Sequence, residues 1–376
     1  MPQAAAAPTA AVRPTAPEPV EHTIPEPPRG TTQVAVGPDP FHRSGLRGAL
    51  DRVAERLPLT AFWVLVLAGL AALVTTALGV GGVPDLVGGA GAVAVSTAYA
   101  WALAARTGGR ASVFGGLTLV LGVVTLVTGA EVLRTGAAVL TCALAAVLGV
   151  MVTVPAPRFV QAAREAVVAL LVASVGAFAV VGWQPEVVLV RFEYTTLAMA
   201  LLGTVALVHR LGAGLHGLGR RGVLAVLVGT GLLGLFLLYA ELLRRYGTPG
   251  LVENLVDAVR WSRENLGASP RPISVVLGVP ALVWGTHMRA RRRQGWWVTA
   301  FGVAATVRTA QGLVYPDTDL GEAGLSVVYS LLLGLLVGYA VVRADLALTG
   351  PRGTRARRAE EATAVRPEPR RTRALL

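Results

Sequence analysis

An arginine inside a long apolar stretch is where chemistry could sit, and Arg308 is one, within VTAFGVAATVRTAQGLVY at 298–315. At helical spacing Ala304, Gln311 and Tyr315 share its stripe, so a guanidinium and a carboxamide would face the same way. A guanidinium held away from water is a forked receptor for phosphate or carboxylate, and a glutamate beside it could serve as a base. The carboxylates available at the same level are Glu193, Glu241 and Glu131, with Arg191 and Arg134 near them. Glu131 with Arg134, and Glu241 with Arg244 or Arg245, stand at i, i+3 and i, i+4 spacing and are expected to pair locally. Arg191 and Glu193 are two apart, point to different sides of a helix and need partners elsewhere. A pair between Glu193 and Arg308 is therefore the structural expectation. An outward-facing polar cavity lined by Arg308, Gln311, Arg191, Glu193, Glu241, Glu131 and Arg134 is the functional one. Ser326, Tyr329 and Ser330, with Tyr194 and Thr195, would add hydroxyls at the same level.

The elements that must position these residues are read from the Arg308 helix itself. Arg289, Arg291, Arg292 and Arg293 with Trp296 and Trp297 stand at one end, and Tyr315, Asp317, Asp319 and Glu322 at the other. From Trp296 to Tyr315 a helix spans about 29 Å, close to a bilayer's hydrocarbon thickness. Positive charge marks the cytoplasmic end, and the aromatic rings are expected at both interfaces. The same ruler applied to a chain of 376 residues, 53% hydrophobic and 15% charged, gives ten spans. Their expected bounds are 59–80, 86–105, 112–130, 135–154, 165–183, 187–208, 222–243, 272–288, 296–315 and 323–344. Connections alternate in charge. Arg106 and Arg110, Arg158 and Arg164, Arg210, Arg220 and Arg221, and the Arg289 cluster fall on one side; GGVPDL, EVLR, WQPE and YPDTDLGE fall on the other. This fits both termini in the cytoplasm of a bacterial cell. By this topology Arg308 lies about 11 Å below the outer end of its span, Arg191 about 6 Å and Glu193 about 9 Å, and the inner halves are mostly aliphatic.

The remaining segments are shorter. Residues 1 to 40 hold ten prolines and no apolar face, so they are expected to be disordered, and no apolar run behind a basic start suggests a signal peptide. From Ser44 to Leu57, Leu46, Leu50, Val53 and Leu57 alternate with arginines as a basic amphipathic helix on the inner leaflet. Between Arg244 and Arg271, Thr248-Pro249 and Gly267 bracket an amphipathic helix on the outer surface, either a lid or a structural crosspiece. Residues 346–376 read as a basic, disordered cytoplasmic tail. Gly334 and Gly338, and Gly229, Gly231 and Gly234, read as helix-packing surfaces.

The expected fold class is thus all-α, a polytopic membrane protein. The net charge of +12 belongs to positive-inside sorting rather than to nucleic-acid binding. All 34 basic residues are arginine, the codon bias of a GC-rich genome. Cys142 is the single cysteine, and no metal motif or facing histidine pair for haem is present, so no cofactor is expected. Gly324-Leu325-Ser326 is not followed by any histidine, which argues against a serine protease site. The expected partner is the bilayer, with anionic lipid at the basic segments; oligomeric state is left open. Three function classes remain: a transporter or flippase of a small or amphipathic molecule, a transferase acting on an outer-leaflet lipid, and a non-catalytic assembly factor.

Overall fold

The structure is a computed structural model of the chain. It describes residues 46–79, 84–211, 219–291, 294–314, 318–349, 355, 358 and 368–375, with the backbone alone at 46–57, 219–222, 225, 249, 251 and 349. Residues 1 to 45, with the expected disordered tail, lie outside the described residues, as do Arg292, Arg293, Tyr315 and Asp317. Every described element is a helix. In order they are α1 (Leu46–Ala77), α2 (Asp85–Arg106), α3 (Ala111–Thr128), α4 (Glu131–Met151), α5 (Phe159–Ala177), α6 (Ala179–Trp183), α7 (Leu189–Arg210), α8 (Gly219–Tyr246) and α9 (Pro249–Leu266). A π-helical turn Ser274–Gly278 leads into α10 (Val279–Arg289), followed by α11 (Gly295–Ala300), α12 (Val303–Val314) and α13 (Leu320–Thr349). Contacts separate residues 1–55 from the bundle at 56–376. The expected amphipathic helix before the first span belongs to α1, which runs unbroken through Pro58; its side chains are among those not described.

Among the described residues, eight helices are long and apolar enough to cross a membrane. The two other segments expected to span, 272–288 and 296–315, fold over their described residues as interrupted helices and form the most buried part of the bundle. Their interruptions have local causes. Pro280 has no N–H to donate, so the ladder loosens to a π turn just before it. At Phe301 and Gly302 the chain tightens to i→i−3 bonds, with Gly302 N on Thr299 O at 2.9 Å and Ala305 N on Gly302 O at 2.9 Å.

Glycine makes this pairing possible. A Cβ on Gly302 would stand 2.4 Å from Leu282 Cδ2, one on Gly285 2.6 Å from the Thr299 backbone nitrogen, and one on Gly278 2.3 Å from the Ala305 nitrogen. The hairpin of α10 with α11 and α12 therefore packs at backbone distance. Around it, α5 and α13 cover α10, while α4, α5 and α7 cover α12. Gly334 and Gly338 bring α13 close to α10, against Val279 and Val283. Of the other glycine patch only Gly229 packs, on Phe301; Gly231 and Gly234 face open space. The outer helices α1, α3 and α8 turn most of their large apolar side chains outward.

The helix expected over 246–270 is α9, ended by Gly267 in the left-handed conformation at φ 75°. Thr248 sits at its N-cap without a side-chain cap bond. Leu255, Val259, Trp261 and Leu266 are exposed, so α9 does not close over the bundle. It is tied down near its C-terminal end, where Ser262 bonds Ala268 O, Tyr329 bonds Leu266 O and Arg263 pairs with Glu322.

The packing makes a direct prediction. Gly285→Ala should lower the apparent Tm in detergent, because overpacking against fixed backbone costs about 1–3 kcal/mol. Gly116→Ala on α3, where a Cβ meets nothing within 4 Å, should hold or raise it. Equal responses, read by thermal unfolding of both variants, would contradict backbone-distance packing at Gly285.

Candidate functional site

At the end where α7 begins and α12 finishes, the structure brings three of the expected residues together. Arg308 Nη1 donates to Glu193 Oε1 at 3.2 Å, with both side chains 19% exposed. Gln311 Nε2 donates to the Glu193 carbonyl at 3.0 Å and to Thr196 Oγ1 at 3.2 Å. The stripe on α12 thus faces α7, as its spacing requires. Arg308 Nε and Gln311 Oε1 are buried without a hydrogen-bond partner. Beside Arg308 a cavity of about 10 Å³ is lined by Leu170, Arg271, Ser274 and Ser330 among others. That is room for roughly one water.

The other expected residues stay apart from this cluster. Arg191 is exposed. Glu241 pairs with Arg244 at 3.1 Å and with Arg245 at 2.5 Å on its own helix, and Glu131 with Arg134 at 3.8 Å. Ser326 bonds Ser269 O at 2.7 Å, and Ser330 accepts from the Arg271 N–H at 2.8 Å, so these hydroxyls hold the segment after α9. Arg271 was not among the expected site residues, although it reaches the Arg308 cavity.

The opposite end carries a cluster that the sequence reading missed. There Glu165 and Arg289 are fully buried and Arg106 nearly so, where mostly aliphatic inner halves and arginines in the connections were expected. Arg289 donates to Thr153 Oγ1 at 2.7 Å and Thr153 O at 2.9 Å, and its guanidinium lies 3.5 Å from the centroid of the Trp296 ring. Arg106 Nε donates to Met151 O at 3.0 Å. Glu165 accepts from Val154 N at 3.0 Å and Arg164 at 3.0 Å. Trp296 and Trp297, expected at the lipid interface, are buried in this cluster and its surroundings.

The C-terminal segment completes it. Residues 368–375, expected to be part of a disordered tail, dock on this end instead. Glu368 takes both Arg289 Nε, at 3.1 Å, and Arg289 Nη2. Arg371 reaches Glu165 at 2.8 Å, Arg370 O accepts from Arg106 Nη1 at 2.9 Å, and Leu375 N donates to Arg106 O at 2.7 Å. The physical reason is that buried arginines need acceptors, and a polar tail supplies them. Glu165, a lone acid at the start of an apolar run between arginine-rich connections, was the signal in the sequence.

A third feature is a groove of about 490 Å³ between α2, α3, α4 and α7. Its lining is mainly aliphatic, with Ser96, Thr118, Thr125 and Thr141 as hydroxyls and Arg210 at one end. Ser96 and Thr141 bond each other at 2.9 Å, and Trp183 Nε1 donates to Thr141 at 3.2 Å. Cys142, one residue on, is a buried core residue as expected. Comparison with protein-family models, curated proteins and solved structures finds no match to this chain.

Because Arg308 and Glu193 are only partly exposed, their separation should be costly. Arg308→Ala is expected to destabilise by about 1–3 kcal/mol, between the values for surface and buried pairs. Arg308→Ala with Glu193→Gln should lose less, since the single change strands a carboxylate. Denaturant unfolding in mixed micelles measures both, and equal losses would mean that the two residues do not couple.

Proposed function

We propose that this chain is a ten-span protein of a bacterial cytoplasmic membrane, both termini cytoplasmic, that binds an amphipathic molecule along the groove between α2, α3, α4 and α7 and passes it between leaflets. The segments 271–289 and 295–314 make two of the ten crossings, at about 27 and 29 Å of helix rise. Broken helices are tolerated at membrane depth where protein buries them, and these two are buried on most sides. The orientation rests on the arginines of the connections at 106–110, 158–164, 210–221 and 289–293. Anionic lipid at those connections is a further part of the reading.

The observation that carries the functional reading is the reach of the groove. Its lining starts at Val132 and Leu133, in the first turn of α4, and ends at Thr107, Gly109 and Arg210, at the opposite ends of their helices. A volume of about 490 Å³ is within the range of small-molecule sites. The aliphatic walls suit a hydrocarbon chain, and Arg210 suits an anionic head at the cytoplasmic end. α3 packs along α2 and only lightly on α4, which leaves a lateral entrance from the bilayer. A transferase built on Arg308 and Glu193 would need room for a substrate beside them, and the cavity there holds about one water. The assembly-factor reading draws on α8, which packs on the bundle through Gly229 and Leu233 and leaves Gly231 and Gly234 open.

Two measurements test this. In a Cys142→Ala background, single cysteines at Thr248 and Thr318 should react with an impermeant maleimide from outside intact cells, and one at Arg110 should not. The reverse pattern would invert the topology. In proteoliposomes, the wild type should move a fluorescent-tailed phospholipid between leaflets, and Gly136→Phe, which places a ring in the open groove, should slow transfer at least tenfold while eluting as a folded species. Transfer no faster than in protein-free vesicles, or insensitive to Gly136→Phe, would sink the groove reading.

A further inference from the structure

The charged cluster at the basic end is built for an anion, and its present occupant is part of the same chain. We propose that Arg106 and Arg289 form an oxyanion-binding site, and that the carboxylate of Glu368 occupies it as a tethered competitor of a phosphate-bearing ligand. This site is separate from the groove, and the inference stands without the reading given to the groove.

The two arginines are held in place by the bundle itself. Arg289 is anchored on Thr153 Oγ1 and O, with Trp296 stacked on its face, and Arg106 is anchored through Nε on Met151 O. Those anchors are neutral. The carboxylate that Arg289 binds comes from the tail, through Glu368, and the other oxygens that the tail brings are the carbonyls of Arg370 and Arg373 on Arg106 Nη1. Arg106 Nη2 is buried and finds no hydrogen-bond partner even with the tail in place. Four oxygen-seeking N–H directions therefore converge where a carboxylate and two carbonyls sit, and one of the guanidiniums has a donor to spare.

Charge completes the argument. With the tail bound, Arg371 reinforces Glu165 and Glu368 offsets Arg289. With the tail withdrawn, Arg289 would lose its carboxylate and Arg106 the two carbonyls, and the groups of the tail that help keep both guanidiniums from solvent would be gone. An uncompensated buried guanidinium costs several kcal/mol, so the vacated site must take up an anion or open to water. A phosphate group, with three or four oxygens and more than one negative charge, matches paired guanidiniums better than a single carboxylate does. The tail has the compensating advantage of its tether, which presents Glu368 at an effective concentration on the order of millimolar. The ligand class is thus a phosphate group, either free in the cytoplasm or carried on a lipid at the inner surface.

The test uses the full chain in nanodiscs of phosphatidylcholine. Inorganic phosphate is titrated calorimetrically against the wild type, Glu368→Gln and Glu368→Gln with Arg289→Gln. Glu368→Gln is expected to bind phosphate at least tenfold more tightly than the wild type, and the double variant to lose that gain. In a second arm, the discs contain phosphatidylglycerol and retained lipid is counted by native mass spectrometry; a gain for Glu368→Gln in this arm alone assigns the ligand to a lipid head group, and a gain with phosphate alone assigns it to a soluble anion. A third readout guards against a variant that fails to fold: in Cys142→Ala protein with Leu375→Cys, a position packed against the bundle while the tail is docked, the added ligand should speed maleimide labelling by releasing the tail. Affinities of Glu368→Gln equal to those of the wild type in both arms would overturn the proposal. So would a gain that survives Arg289→Gln and Arg106→Gln, or labelling indifferent to both ligands.

Discussion

Leu282 stands where any side chain on Gly302 would have to be, and the backbone of Thr299 stands where one on Gly285 would be. In hydrocarbon, apolar side chains gain little by leaving lipid for one another, so helices associate through close van der Waals contact and through polar groups that need partners. Small residues are what permit that contact. The hairpin of α10 with α11 and α12 is one such instance, Gly182 of α6 against the Gly88 carbonyl of α2 is another, and α4, α5, α7 and α13 pack around the hairpin. α13 meets it at Gly334 and Gly338, and Gly149 of α4 lies against Thr306 of α12 while also touching the Ala169 carbonyl of α5. The same hairpin sets Arg289 over Trp296 at one end and turns Arg308 toward α7 at the other.

Much of this was legible from residues. Eight of the expected spans coincide with helices long and apolar enough to cross a membrane, because bilayer thickness fixes a length to look for, and α9 was legible because Thr248-Pro249 and Gly267 bracket it. The Arg308 to Glu193 contact was legible because neither residue had a partner on its own helix at i, i+3 or i, i+4. The interruptions in 272–288 and 296–315 were harder, since a π turn and a tightened turn depend on what presses on them from the neighbouring helix. Pro280 and Gly302 were the marks, but each is also common in an unbroken membrane helix. The basic end was missed for a different reason. Positive-inside sorting explains every arginine there one at a time, so nothing about Arg106 or Arg289 called for a partner. Their acceptors lie far away in sequence, at Met151 for Arg106, at Thr153 for Arg289, and in the last ten residues for both.

Hydroxyls misled in a similar way. Serines and threonines near Arg308 read as a polar lining, yet many buried hydroxyls in this bundle bond back to their own helix. Ser96 bonds Ala92 O, Thr141 bonds Ala137 O, Thr196 bonds Phe192 O, Thr286 bonds Leu282 O and Thr299 bonds Gly295 O, all within one turn. Such a bond satisfies the donor locally and lets a threonine sit in hydrocarbon at small cost. The count of hydroxyls at one depth therefore says little about a cavity. What distinguishes Thr141 and Thr196 is that each also accepts from a second helix or side chain, Trp183 in one case and Gln311 in the other.

The two charged clusters differ in how they could be undone. Glu193 and Arg308 both belong to helices packed in the bundle, so parting them requires α7 and α12 to move against several neighbours. At the basic end Arg164 and Glu165 pair within α5, but the other two ion pairs each have one partner on a segment outside the helices: Glu368 for Arg289 and Arg371 for Glu165. Had α4 or α5 supplied a carboxylate in the position of Glu368, the guanidinium of Arg289 would be closed off as firmly as that of Arg308. Because the tail supplies it, the pair can separate while Thr153, Met151 and Trp296 keep both arginines in position. A preformed pair of guanidiniums with a removable carboxylate needs no helix motion to change occupant, only the detachment of a few residues whose main apolar contact is Leu375. The cost of exposing such a site falls on the charges rather than on the packing, and an incoming anion can offset charge where it could not repair a displaced helix.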